Sequence, residues 1–209
     1  MKKDIFVAII DSGCSFDTYK KVAIKEDNFE LKVVNQNSIN LGHGNEIGKI
    51  ISTCDNAKIY DIQIFENRLN ISALYLYKAF EYLLDKKVDV INLSLGILTN
   101  YKEIEDICYE LIKRGVTIIS SFPKSGQNFV YPASYKDVIC VTSDGRCKGF
   151  DISYLDDNLE LFGCNPFSSK KNVTGSSVAV AKFTKIFCEY LSDGFSKEQI
   201  LLKIKLQGI

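Results

Sequence analysis

The sequence predicts an α/β protein in which a mostly parallel sheet carries helices on both faces. Three observations carry that prediction. β-rich apolar runs alternate with amphipathic runs of helical spacing through most of the 209 residues. The first run, Ile5-Phe6-Val7-Ala8-Ile9-Ile10, is apolar throughout, as expected of a strand buried on both faces. Finally, Asp11, His43 and Ser177 stand where strands end or helices begin, the place where open α/β sheets keep their sites.

Taken in order, residues 5–10 read as a strand that Asp11-Ser12-Gly13 stops abruptly. A second short strand is expected at 31–34. A polar loop then leads to Gly42-His43-Gly44, and Ile47, Ile50, Ile51 and Cys54 mark one face of a helix opened by His43. Residues 58–65 alternate as a strand does. From 70 to 86, Ile71, Leu74, Leu76, Ala79, Phe80, Leu83 and Leu84 spell a long helix with Asn70 as its cap and two lysines at its C-terminal end. Strand is expected again over 88–95, then a helix over 101–114 with Gly115 as its C′ residue. Residues 116–120 and 138–142 read as strands on either side of a turn-rich stretch, 122–128, and 143–174 as irregular structure with short strands. Ser177 falls in the first turn of a helix ending near Gly194. Ser196-Lys197-Glu198-Gln199 makes a capping box for a last helix carrying Ile200, Leu201 and Ile204.

The bulk properties narrow the function classes. At 46% hydrophobic the chain can fill one sizeable core, so a single domain over 1–209 is expected. Lys+Arg and Asp+Glu balance at 26 each, which leaves no field to recruit nucleic acid or an anionic membrane. Seven cysteines (Cys14, Cys54, Cys108, Cys140, Cys147, Cys164, Cys188) form no C-x-x-C pair and have no histidine at metal-ligand spacing, which suits a reducing compartment. The six-residue apolar run near the start is too short for a signal peptide, and no stretch reaches the roughly 18 apolar residues of a membrane span. A cytoplasmic protein with no cofactor, no propeptide and no membrane partner is the expectation.

Taken singly, the three polar residues are ordinary: a serine in a first turn is most simply a cap, and a lone histidine is most often a surface or core residue. Together they match the needs of acyl transfer. A serine hydroxyl attacks well only when an imidazole takes its proton, and the imidazole needs a carboxylate to fix its tautomer. His43 is the only histidine in the chain, so it is the one base available to Ser177 near neutral pH. Neither G-x-G-x-x-G nor G-x-S-x-G occurs, which argues against a nucleotide-binding protein or another α/β hydrolase.

Five segments in order, Val7-Ala8-Ile9-Ile10-Asp11-Ser12-Gly13, Gly42-His43-Gly44, Val90-Ile91-Asn92-Leu93-Ser94-Leu95-Gly96, Tyr131-Pro132-Ala133 and Gly175-Ser176-Ser177-Val178-Ala179, resemble the signature segments of the subtilisin-like serine proteases. The order Asp, His, Ser is that of the family's triad. The resemblance implies a three-layer subtilisin-like fold and a serine endopeptidase with Ser177 as nucleophile, His43 as base and then acid, and Asp11 as orienter. It also implies that a peptide or protein substrate lies as an added strand along Ser94, Leu95 and Gly96. Asn92 and Pro132 read as structural, and Phe122 as close to the wall of the primary specificity pocket.

One segment departs from the family. Where the family has an asparagine whose amide donates to the oxyanion, this chain runs Ser120-Ser121-Phe122-Pro123-Lys124-Ser125-Gly126, so the position falls on Pro123 or Lys124. Proline has no donor, which leaves Lys124, Asn128 or Gln127 as substitutes. The alternative function is a pseudoprotease that binds a peptide without cutting it. The acidic loops that hold structural calcium in relatives are also missing, so no metal is expected.

Overall fold

The computed structural model describes residues 2–36, 38–70, 72–123, 129–169 and 173–208. Its described elements, in order, are β1 (Ile5–Asp11), β2 (Lys20–Asp27), β3 (Glu30–Asn35), α1 (His43–Ile51), β4 (Ala57–Gln63), α2 (Ala73–Leu83) and β5 (Val90–Leu93). There follow α3 (Lys102–Lys113), β6 (Thr117–Ser121), β7 (Ile139–Ser143), β8 (Ile152–Asp156), β9 (Leu161–Cys164), α4 (Ser176–Ser192) and α5 (Lys197–Gln207). The strands form one sheet in the order β3-β2-β4-β1-β5-β6-β7-β9-β8. Its centre is parallel, and an antiparallel hairpin closes each edge, β2 with β3 and β8 with β9.

The apolar run of β1 explains the layering. Ile5, Val7 and Ile9 point to one face and join the core under α1, α4 and α5. Ala8 and Ile10 point to the other and join the core under α2 and α3. Because strand side chains alternate, a strand covered on both faces favours apolar residues at successive positions, and β1 carries them from Ile5 to Ile10 before it ends at Asp11. Among the described residues no helix is long and apolar enough to cross a membrane. All seven cysteines are buried and unpaired.

Three sequence expectations change. The strand β2 was not expected, because only Val22, Ala23 and Ile24 are buried in it and lysines and acids surround them. Its turn to β3 is equally unobtrusive: Asn28 and Phe29 both hold positive φ, 51° and 64°, the geometry of a two-residue hairpin usually signalled by Asn-Gly. Asn70 is not the cap of α2. Ser72 is, with extended backbone and its hydroxyl accepting from Leu74 N–H at 3.3 Å, and the helix stops at Leu83 instead of reaching 86. The short strands expected within 143–174 are β8 and β9, paired as an edge hairpin. The capping box at Ser196 and Gln199 forms in full, and Gly115 follows α3 with φ +89°.

Candidate active site

Asp11 ends β1 and is 1% exposed. Its Oδ1 accepts from the Ser12 N–H at 2.7 Å, which fixes the carboxylate at the mouth of a tight turn. The Ser12 hydroxyl in turn accepts from Gly44 N–H at 2.9 Å and so ties the start of α1 to that turn. Gly44 cannot be larger: a Cβ there would stand 3.0 Å from Asp11 Oδ1 and 2.9 Å from Gly13 N. This close approach sets His43, the first residue of α1, against the acid.

His43 Nδ1 lies 2.9 Å from both Asp11 oxygens. With Nδ1–H donating to Asp11, Nε2 is the acceptor nitrogen of the neutral ring. Burial opposes a charge on the ring, but the hydrogen bond and the negative charge of Asp11 outweigh it and hold the His43 pKa above its ordinary 6.5.

Ser177 is the second residue of α4 and not its cap. That place belongs to Gly175, whose φ of 94° and ψ of −157° suit only glycine and which brings no side chain to cap the helix. The Ser177 hydroxyl donates to Ser94 O at 3.2 Å, while the Ser94 hydroxyl donates to Ser177 O at 3.2 Å. Asn92 stands behind this reciprocal pair, giving an amide N–H to Ser94 Oγ at 3.3 Å and taking a hydrogen bond from Thr184 of α4 at 2.9 Å. Helix α4 is thus pinned to the end of β5.

His43, Ser94, Leu95, Gly96 and Ser177 all line one cleft of about 530 Å³, with Phe65, Leu76 and Ile97 among its apolar walls. Gly96 lies so close to Val130 that a Cβ would overlap it. Ile97 pairs with Tyr131 by two backbone hydrogen bonds, 2.8 and 2.9 Å. Phe122 is buried against Ala133 and Cys140 in a small separate cluster. Lys124, Gln127 and Asn128 lie outside the described residues. The Ser177 N–H sits in the first turn of α4, where backbone donors have no intrahelical partner and the helix dipole favours negative charge.

Several polar residues that matter here carried no motif. Asp61 and Gln63 of β4 face the Asp11 turn, and their signal was a buried strand interrupted by polar residues two apart. Lys182 of α4 is 7% exposed and donates to Asn165 Oδ1 at 2.7 Å and Phe167 O at 2.8 Å, tying down the segment before α4.

The sequence model described as the subtilase family matches residues 2–181. The chain is similar to the "Major intracellular serine protease" of Bacillus subtilis (strain 168), 26% identical over 211 residues, covering 85% of this chain and 65% of that protein. It is also similar to the "Minor extracellular protease Epr" of the same organism, 23% identical over 153 residues, covering 68% of this chain and 23% of that protein. The chain therefore spans less than two thirds of either relative. Among solved structures, sphericase superposes with a TM-score of 0.73 at 14% identity, covering 99% of this chain and 83% of that one. The prenylagaramide maturation protease PagA gives 0.69 at 18%, covering 94% and 80%. These structural likenesses bear on the fold.

Proposed function

Because this chain belongs to the subtilase family, we propose that it is a serine endopeptidase cleaving an extended peptide or protein segment through an acyl-enzyme on Ser177. The observation that carries the proposal is the pairing of His43 Nδ1 with both oxygens of Asp11 beside a cleft that Ser177 shares. In the proposed reaction the Ser177 hydroxyl turns from Ser94 O to His43, exchanging one neutral hydrogen bond for another of similar worth, about 1 kcal/mol. Its oxygen bonds to the scissile carbonyl carbon as its proton passes to Nε2. His43 then gives that proton to the leaving amine as the C–N bond breaks, and water repeats the sequence to release the acid.

The developing oxyanion takes the Ser177 N–H at the positive end of α4, and Lys124 or Asn128 supplies the second donor. The substrate lies along Ser94, Leu95 and Gly96. We read the task as narrow, the processing of one peptide or protein partner; that a solved structure of this fold is a maturation protease supports this. Seven unpaired cysteines support a reducing, cytoplasmic setting.

Two features favour the second reading, a binder that does not cut: Pro123 offers no N–H, and the Ser177 hydroxyl is engaged by a carbonyl. A fluorophosphonate probe separates the two. Labelling of wild type, abolished in Ser177→Ala and His43→Ala, supports the enzyme. A folded wild type that binds peptide and takes no label overturns it.

A further inference from the structure

The turn that carries Asp11 is held from below by three side chains, each on a different backbone group. Gln63 donates to Ser12 O at 3.2 Å, Asp61 Oδ2 accepts from Cys14 N–H at 2.8 Å, and Lys21 of β2 donates to Cys14 O at 3.0 Å. Gln36 donates to the same Asp61 oxygen at 3.0 Å, and Gln63 reaches on to Ser38 O at 2.9 Å.

Asp61 is costly where it stands. It is fully buried and its second oxygen, Oδ1, has no partner among the described residues. Alternation puts it on the same sheet face as Ile59, which joins the core under α1, so an apolar residue would fit the layer without the desolvation cost. What an apolar residue could not supply is an acceptor for Cys14 N–H. From Cys14 the turn leads back through Ser12, which bonds both the Asp11 carboxylate and the Gly44 N–H of α1.

We infer that Asp61, with Gln63 beside it, is a positioning residue for the Asp11–His43 pair, acting through the backbone of residues 12–14. The inference rests on the triad reading above, and its test keeps the two apart. His43 is the only histidine, so its Cε1–H signal in an NMR titration is unambiguous and reports the Asp11 contact whether or not the protein cleaves anything.

Removing the acceptor in Asp61→Ala is expected to move the His43 midpoint down towards 6.5 and to lower kcat about 10- to 100-fold with KM near wild type. Asp61→Asn keeps an acceptor oxygen and is expected to restore both. Gln63→Met removes the donor to Ser12 O at similar volume and is expected to lower the midpoint in the same direction, which covers the case of an Asp61→Ala that does not fold. A folded Asp61→Ala with an unmoved midpoint and unchanged kcat overturns the inference. So does an Asp61→Asn as impaired as Asp61→Ala, because the charge and not the hydrogen bond would then be at work. If wild type takes no fluorophosphonate, the proposed activity fails while the midpoints still decide the clamp.

Discussion

Replacing Asp61 by asparagine should stabilise the protein, and only at high pH. Burial pushes the Asp61 carboxyl up from its ordinary 3.8 to about 6, with the negative charge of Asp11 adding to the push and the Cys14 N–H, Gln36 and Lys21 pulling the other way. The folded state therefore binds this proton more tightly than the unfolded chain does. Stability contributed by this group is full at low pH, falls as pH rises from about 4 to about 6, and stays lost above that. At 1.36 kcal/mol per pH unit, the interval from 3.8 to about 6 makes the deficit of the ionised form about 3 kcal/mol. Asparagine carries no charge and keeps an oxygen for Cys14 and Gln36. Urea unfolding in a Ser177→Ala background, which excludes self-cleavage by the proposed nucleophile, should show Asp61→Asn more stable by about 3 kcal/mol at pH 8. The gain should shrink through pH 6 and vanish near pH 4. A difference that does not change with pH, or an asparagine variant less stable at pH 8, would refute the reasoning.

Three further outcomes follow from the proposed mechanism. His43 must be neutral to take the serine proton and its pKa is held above 6.5, so the acid limb of kcat/KM should lie above that pH; Asp11→Asn should move the limb down and cut kcat about 10⁴-fold. Gly44→Ala should push α1 off the Asp11 turn, costing about 1–3 kcal/mol in thermal or urea unfolding and slowing fluorophosphonate labelling; wild-type labelling in this variant would show that the approach can relax. Of Lys124→Ala and Asn128→Ala, the one that removes the second oxyanion donor should lower kcat about 10²–10³-fold. If neither does, the backbone donor works alone.

Much of this architecture can be read along the chain, because strand and helix leave short-range patterns. The unbroken run of β1 announces a strand covered on both faces, and the Ser196–Gln199 box announces the start of α5. Patterns fail where burial is partial or turn chemistry is unusual. Three buried residues among charges hid β2, and Asn28-Phe29 turned the chain without the glycine that marks such turns. At α2 the residue type of Asn70 suggests a cap, but the extended backbone and the accepting hydroxyl belong to Ser72, which only the folded geometry reveals.

The same division runs through the candidate site. Asp11 at a strand end, His43 at a helix start and Ser177 in a first turn are placed by the residues next to them, and the sequence determined that much by itself. Tertiary structure alone decided that Cys14 N–H meets Asp61, 47 residues on, and that the Ser177 hydroxyl rests on Ser94 O, 83 residues back. Such contacts depend on which strands lie side by side and on how closely a helix start can approach a turn. No local periodicity records those distances, because they are set by packing between elements far apart in the chain.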